Sequence, residues 1–203
     1  MSTLDEVFAV GRFMADFPGV WWVAGGWAVD ILAGGASREH SDIEFGLFQA
    51  DQAAFCDYCA GWDLDTPREK EWVPMQKGEM LAFPEFQLRL VPTAHSVRRA
   101  DDLPHEFEFM LNYVEDGEWL FRPEPSIRLP LDRLVHVSPL GLRVVAPEAV
   151  LLHKSRYHRP KDDHDFARAL PLMLPEQRSW LAKAIRQIRP DDVWLEALEG
   201  CQS

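Results

Sequence analysis

At 203 residues, 47% of them hydrophobic and 27% charged, the chain is long enough for one globular domain with a sizeable core, and its composition is not that of a disordered or fibrous protein. A net charge of -12 opposes a polyanionic duplex, so general nucleic-acid binding is not expected, whereas a cationic small substrate would suit it. No apolar run approaches the roughly 20 residues that cross a bilayer, and no secretory leader pattern stands at the start, so a cytoplasmic protein without membrane association is expected.

Leu4, Val7, Phe8, Gly11 and Met14 recur at intervals of three and four, which predicts a first helix. "VWWVA" then reads as a short buried strand stopped by Gly25 and Gly26, with "WAVDIL" as a short helix whose N-terminus lies at those glycines. "DIEFGLF" alternates, placing Ile43, Phe45 and Leu47 on one face and Asp42, Glu44 and Gly46 on the other. Asp51 is a candidate N-cap for a helix running to Ala60. Cys56 and Cys59 in that helix, with Cys201 far away, read as reduced helix cysteines rather than a zinc site, because no second pair accompanies them.

The middle of the chain is rich in strand patterns. Phe86 to Val91 can be a strand, and "HEFEFMLNYV" alternates Phe107, Phe109 and Leu111 against Glu106, Glu108 and Met110. An Asp116-Gly117 turn before "GEWLFR" predicts a hairpin, and "LVHVSPLGLRVV" a second one. Pro147 suits the first position of a helix, and three further helical segments follow it. The expected organisation is therefore an α/β part over residues 1–145 and a helical part over 146–203 packed on it. Most of the eight tryptophans are expected in the core.

The chemistry concentrates between Gly25 and Phe48. Asp42 and Glu44 project from one face of one strand, and Glu108 repeats the pattern on a second. Carboxylates in half-buried strands are costly unless compensated. A hard divalent cation with oxygen ligands compensates them, so Mg2+ is the expected metal, held by Asp42, Glu44 and Glu108. The Gly25-Gly26 turn offers backbone N–H groups near a helix N-terminus, where phosphates bind. No G-K-[ST] follows, so this is not a Walker loop. Arg38 is a candidate phosphate clamp through its planar fork, or else a loop salt bridge with Glu39 or Asp30. Asp30 reads as a supporting group and His40 as a residue that orders the loop. Lys154, on an otherwise apolar helix, is costly without an anion and is assigned to a triphosphate. "KDDHD" from Lys161 to Asp165 reads as the charged start of a helix.

"GGWAVD" with "SREHSD", followed by Asp42-Ile43-Glu44-Phe45, resembles the aminoglycoside and lincosamide nucleotidyltransferases of the DNA polymerase beta-like superfamily. Glu108 in "FEFMLN" takes the family's third-carboxylate position, and "APEAVLLHKSRYHRPKDDHDF" is similar to its helical segment. No motif places the stretch from Trp62 to Arg99. The resemblance implies an α+β nucleotidyltransferase fold, a mixed sheet flanked by helices. It also implies Mg2+-dependent transfer of AMP from ATP to a hydroxyl of a small acceptor such as an antibiotic. Asp42, Glu44 and Glu108 would be catalytic, and Gly25, Gly26, Arg38 and Lys154 would bind the nucleotide. Two positions depart from close members: Glu44 where Asp is frequent, and Tyr113 where a carboxylate commonly follows "MLN". Two other readings stay open. One is a nucleotide- or partner-binding relative, antitoxin-like or regulatory, that has lost catalysis. The other is a metal phosphohydrolase built on His153, His158, His164 and Asp165.

Overall fold

The computed structural model describes residues 1–96 and 103–200; Cys201 lies outside them. In chain order come α1 (Leu4–Phe13), β1 (Trp21–Val23), α2 (Gly25–Leu32), β2 (Glu44–Phe48) and α3 (Gln52–Tyr58). Next are β3 (Asp63–Arg68), β4 (Glu71–Pro74), β5 (Gln87–Val91), β6 (Phe107–Asn112), β7 (Val114–Glu115), β8 (Glu118–Leu120) and β9 (Arg128–Pro130). The chain closes with β10 (Val135–Val137), β11 (Arg143–Val145), α4 (Pro147–Lys154), α5 (Pro160–Ala169), α6 (Pro175–Ile188) and α7 (Trp194–Glu199).

Among the described residues, eight strands form one mixed sheet in the order β10-β11-β1-β2-β6-β5-β3-β4, and β7-β8-β9 form a second. The pairs β1–β11 and β2–β6 are parallel and the others antiparallel. Alternation along β2 and β6 sorts the two faces. Phe45, Leu47, Phe107, Phe109 and Leu111 are buried on one. There Phe13 of α1 meets Phe107 edge-on, and Phe55 of α3 packs on Phe109. The other face carries Trp22, Glu44, Gly46, Glu108 and Met110, because residues two apart in a strand point the same way. The parallel β2–β6 register pairs Glu44 with Glu108 directly.

Both expected hairpins form, β7–β8 through left-handed Asp116 (φ 52) and Gly117 (φ 80), and β10–β11 beyond them. Pro147 opens α4 as expected. Two local expectations shift. The strand begins at Glu44 instead of Asp42, which is exposed and whose carbonyl accepts from the Ser2 hydroxyl at 3.0 Å. Asp51 stands at the N-cap of α3, but its side chain caps nothing, and the helix stops at Tyr58. Cys56 lies in α3 and Cys59 follows it, with no disulfide between them. Trp21, Trp22, Trp27, Trp62, Trp119 and Trp194 are buried, in line with a core role. No helix among the described residues is long and apolar enough to cross a membrane.

Candidate active site

Gly25 and Gly26 form the first turn of α2, directly after β1, so the strand–turn–helix order expected of a phosphate turn is present. Each glycine is needed for a separate reason. Gly25 has φ +59, and a Cβ there would stand 1.9 Å from Glu44 Oε2. A Cβ on Gly26 would meet the Arg38 guanidinium at 2.0 Å. The space beside the glycines is thus shaped by the chain's own Glu44 and Arg38.

Glu44 is half-buried at the head of β2. Burial first, then the charges of Asp42 and Glu108, push its pKa up to about 7, while Lys154 and Lys161 pull it down. Burial raises Glu108 as well, against a 2.6 Å hydrogen bond that it accepts from Gln87 Nε2. Of the three carboxylates predicted as a group, Glu44 and Glu108 are register partners, and Asp42 precedes the strand by two residues. Among the described residues, no three His, Cys, Asp or Glu side chains already stand in a metal-coordinating arrangement. The fit to a hard cation is one of chemistry: oxygen donors only, mutual repulsion, and a glycine cradle that leaves room for one of the carboxylates.

A buried polar lattice holds this edge of the site. Asp30 accepts from Ser37 N at 2.9 Å and Ser37 Oγ at 2.5 Å, pairs with His40 Nε2 at 2.8 Å, and receives Arg168 Nε at 3.2 Å. His40 also stacks on Trp27, whose indole N–H donates to Ser2. The loop-ordering role expected of His40 and the supporting role of Asp30 match these contacts. Arg38 spends Nε and Nη2 on Asp165, both at 2.8 Å, and Nη1 on the Glu39 carbonyl at 2.9 Å. Lys154 Nζ reaches Asp165 at 2.8 Å and Asp162 at 3.4 Å. The anion that the buried Lys154 requires is therefore supplied first by α5. Asp162 also caps α5 by accepting from Arg159 N at 3.0 Å, the charged helix start foreseen for this segment. Sequence reading missed Asp165 as the junction of Arg38 and Lys154, because its partners are far away in the chain.

Between β1, β2, β6, the second sheet and α4 lies a cavity of about 250 Å³. Gly25, Glu44 and Lys154 line one part of it, and Phe86, Arg122 and Arg156 another. Trp119 and Asn112, joined by a hydrogen bond from Trp119 Nε1 to Asn112 Oδ1 at 2.8 Å, line it as well. The histidines of the phosphohydrolase reading do not converge. His153 packs on Phe121 and is held near pKa 3, by burial first. His158 pairs with Asp192 and Asp163, and His164 with Ser37.

Residues 6–62 match the family model described as aminoglycoside-2''-adenylyltransferase. No curated protein sequence matches the chain. Solved structures do. The lincosamide antibiotic adenylyltransferase LnuA with lincomycin bound aligns at TM-score 0.51 and 17% identity, over 82% of this chain and 95% of that one. The antibiotic-resistance factor ANT(2'')-Ia in solution aligns at 0.56 and 14%, over 91% of both chains. The same enzyme with adenylyl-2''-tobramycin aligns at 0.55 and 12%, over 90% and 96%. At such identities the likeness is one of fold. By the family match at its N-terminal end and by its architecture, the chain carries the nucleotidyltransferase fold and is similar to the aminoglycoside and lincosamide adenylyltransferases, as its "GGWAVD" and Asp42-Ile43-Glu44 motifs imply.

Proposed function

We propose that this protein is an adenylyltransferase that moves AMP from ATP to a hydroxyl of a small molecule, with an antibiotic as one candidate acceptor. The observation that carries the reading is Glu44, paired with Glu108 across β2 and β6, standing against the Gly25-Gly26 helix start in the lining of a cavity. Asp42, Glu44 and Glu108 would hold Mg2+, which supplies Lewis-acid polarisation at the α-phosphorus and neutralises charge on the departing pyrophosphate.

The remaining work falls to the chain itself. The N–H groups of the first turn of α2, which no side chain caps, would attract the phosphates. Lys154 lines the cavity as a hydrogen-bond donor held in place by Asp165 and Asp162. Arg38, fixed on Asp165, acts on the same end by holding the loop before Asp42. The acceptor oxygen forms its bond to the α-phosphorus as the bond to the bridging oxygen breaks. Glu108 Oε, where the metal does not engage it, takes the hydroxyl proton, and pyrophosphate leaves. Burial makes Glu108 a stronger base than an exposed glutamate, and Gln87 fixes its orientation.

The test is a mass-shift assay with Mg2+, each nucleoside triphosphate and a panel of aminoglycosides, lincosamides and simple hydroxyl compounds, followed together with pyrophosphate release. Asp42→Ala combined with Glu44→Ala is expected to lower turnover by about 100-fold or more, as removal of a metal platform does. Turnover within tenfold of the parent would sink the assignment. ATP binding without transfer to any acceptor would favour the non-catalytic reading.

A further inference from the structure

The cavity has a charge pattern opposite to that of the whole protein. Against a net charge of -12, its charged lining among the described residues is Glu44 with Arg122, Lys154, Arg156 and Arg159. Two of these cations are already neutralised. Lys154 is paired with Asp165 and Asp162, and Arg159 with Asp162 at 2.7 Å.

Arg122 and Arg156 differ. Among the described residues neither is paired with a carboxylate. The Arg122 guanidinium carbon lies 3.7 Å from the centroid of the Phe86 ring, and the side chain is half-buried. Arg156 lies over the Tyr157 ring and reaches the Tyr157 hydroxyl at a long 3.5 Å. Burial, then repulsion by Arg156, holds Arg122 below its ordinary pKa. Both cations line the same cavity as Lys154 and His153. Arg122 is half-buried and Arg156 exposed, both line the one cavity, and two guanidinium groups side by side in one lining without carboxylate partners attract an anion.

We infer that the Arg122–Arg156 end of this cavity is an anion subsite, which takes the carboxylate or phosphate group of a hydroxyl-bearing small molecule while the nucleotide lies at the Glu44 end. That this molecule is the acceptor rests on the adenylyl-transfer reading. A planar guanidinium fork matches a carboxylate or phosphate in two-point contact. The inference reverses the expectation from overall charge, under which a polycation would suit the protein.

The experiment is calorimetric titration of the full chain with D-gluconate, D-glucose 6-phosphate, neutral D-glucose and the polycation kanamycin. Both anions are expected to bind at least about tenfold tighter than glucose, as a charge-assisted contact gives. The larger of the two affinities tells carboxylate from phosphate. Arg122→Gln with Arg156→Gln should remove that margin and leave ATP affinity within about threefold, and Arg156→Lys should fall between, keeping charge but losing the fork. Circular dichroism reports whether each variant is folded. Kanamycin binding without anion binding overturns the inference. So does a loss of ATP affinity in the double variant, which would give the arginines to the nucleotide. Adenylylated kanamycin with no anion binding would keep the transfer reading and sink this one. Anion binding with no transfer to any acceptor would keep the subsite and sink the transfer reading.

Discussion

At the scale of single residues the site depends on side chains that are absent. Gly25 sits at φ +59 with Glu44 Oε2 where its Cβ would be, and Gly46 lies under Trp22, whose Nε1 is 2.1 Å from where a Cβ would stand. Gly34, at φ +87, has nothing within 4 Å. Alanine at Gly25 and at Gly34 should therefore separate two effects. Both cost roughly 1 to 2 kcal/mol for an L-residue in the left-handed region. Only Gly25→Ala also displaces the Glu44 carboxylate. We expect urea unfolding to show comparable losses of stability in the two variants, with pyrophosphate release falling at least about tenfold in Gly25→Ala alone. A fully active Gly25→Ala would show that Glu44 has no fixed position to lose. The glycine pair itself was legible as a strand-to-helix turn. Which side chains fill the space above it was not, because Glu44 arrives there only through the β1–β2 register that pairs Val23 with Phe45. Arg38 is similar: a planar fork near the site was legible, but its partner Asp165 lies 127 residues further along.

At the scale of elements, α5 is bound to α2 through Asp30–Arg168 and to α4 and the loop before β2 through Asp165, rather than through apolar contact alone. Asp30 is fully buried. Burial by itself would raise its pKa, but the hydrogen bonds from His40 and Ser37 prevail and bring it down to about 2 from 3.8. A folded pKa below the unfolded one means that stability is present above about pH 4 and drains away as pH falls towards 2. The contribution is on the order of 2 kcal/mol. Asp30→Asn should therefore be less stable than the parent at pH 7, with the gap closing between pH 4 and pH 2. Urea titrations followed by tryptophan fluorescence at pH 7, 4 and 3 measure it, and a gap that stays constant would assign the loss to shape instead of charge. Elements with regular periods were the most legible, such as α1, β6 and α6. The β3–β4 hairpin was not. Its turn uses Glu69 (φ 50) and Lys70 (φ 74) where glycine or asparagine would announce it, and its strands contain Pro67 and Pro74. Pro74 is tolerated because β4 is an edge strand.

At the scale of the whole molecule, the sequence's change of character at Pro147 invites a cut between residues 145 and 146, and the packing argues that the two parts are one folding unit. A single apolar cluster contains Val23, Ala28 and Ile31 from the first part together with Leu151, Leu152 and Ile185 from the second. Leu151, Leu152, Leu181 and Ile185 have no exposed surface. Burying four such side chains is worth on the order of 6 to 12 kcal/mol, about the entire net stability of a typical domain. Removing residues 146–203 would also take Arg168 from Asp30, which keeps His40 and Ser37, and Asp165 from Arg38. A chain ending at residue 145 is therefore expected to lack fixed tertiary structure, whereas the full chain should unfold in one transition seen identically by far-ultraviolet and near-ultraviolet circular dichroism. The tryptophans make the near-ultraviolet signal a sensitive probe of Trp21, Trp22 and Trp119, all of which precede the cut. A sharp near-ultraviolet spectrum from residues 1–145, with a cooperative urea transition of its own, would mean that the sheet and its first helices fold alone and that the C-terminal helices are an independent partner.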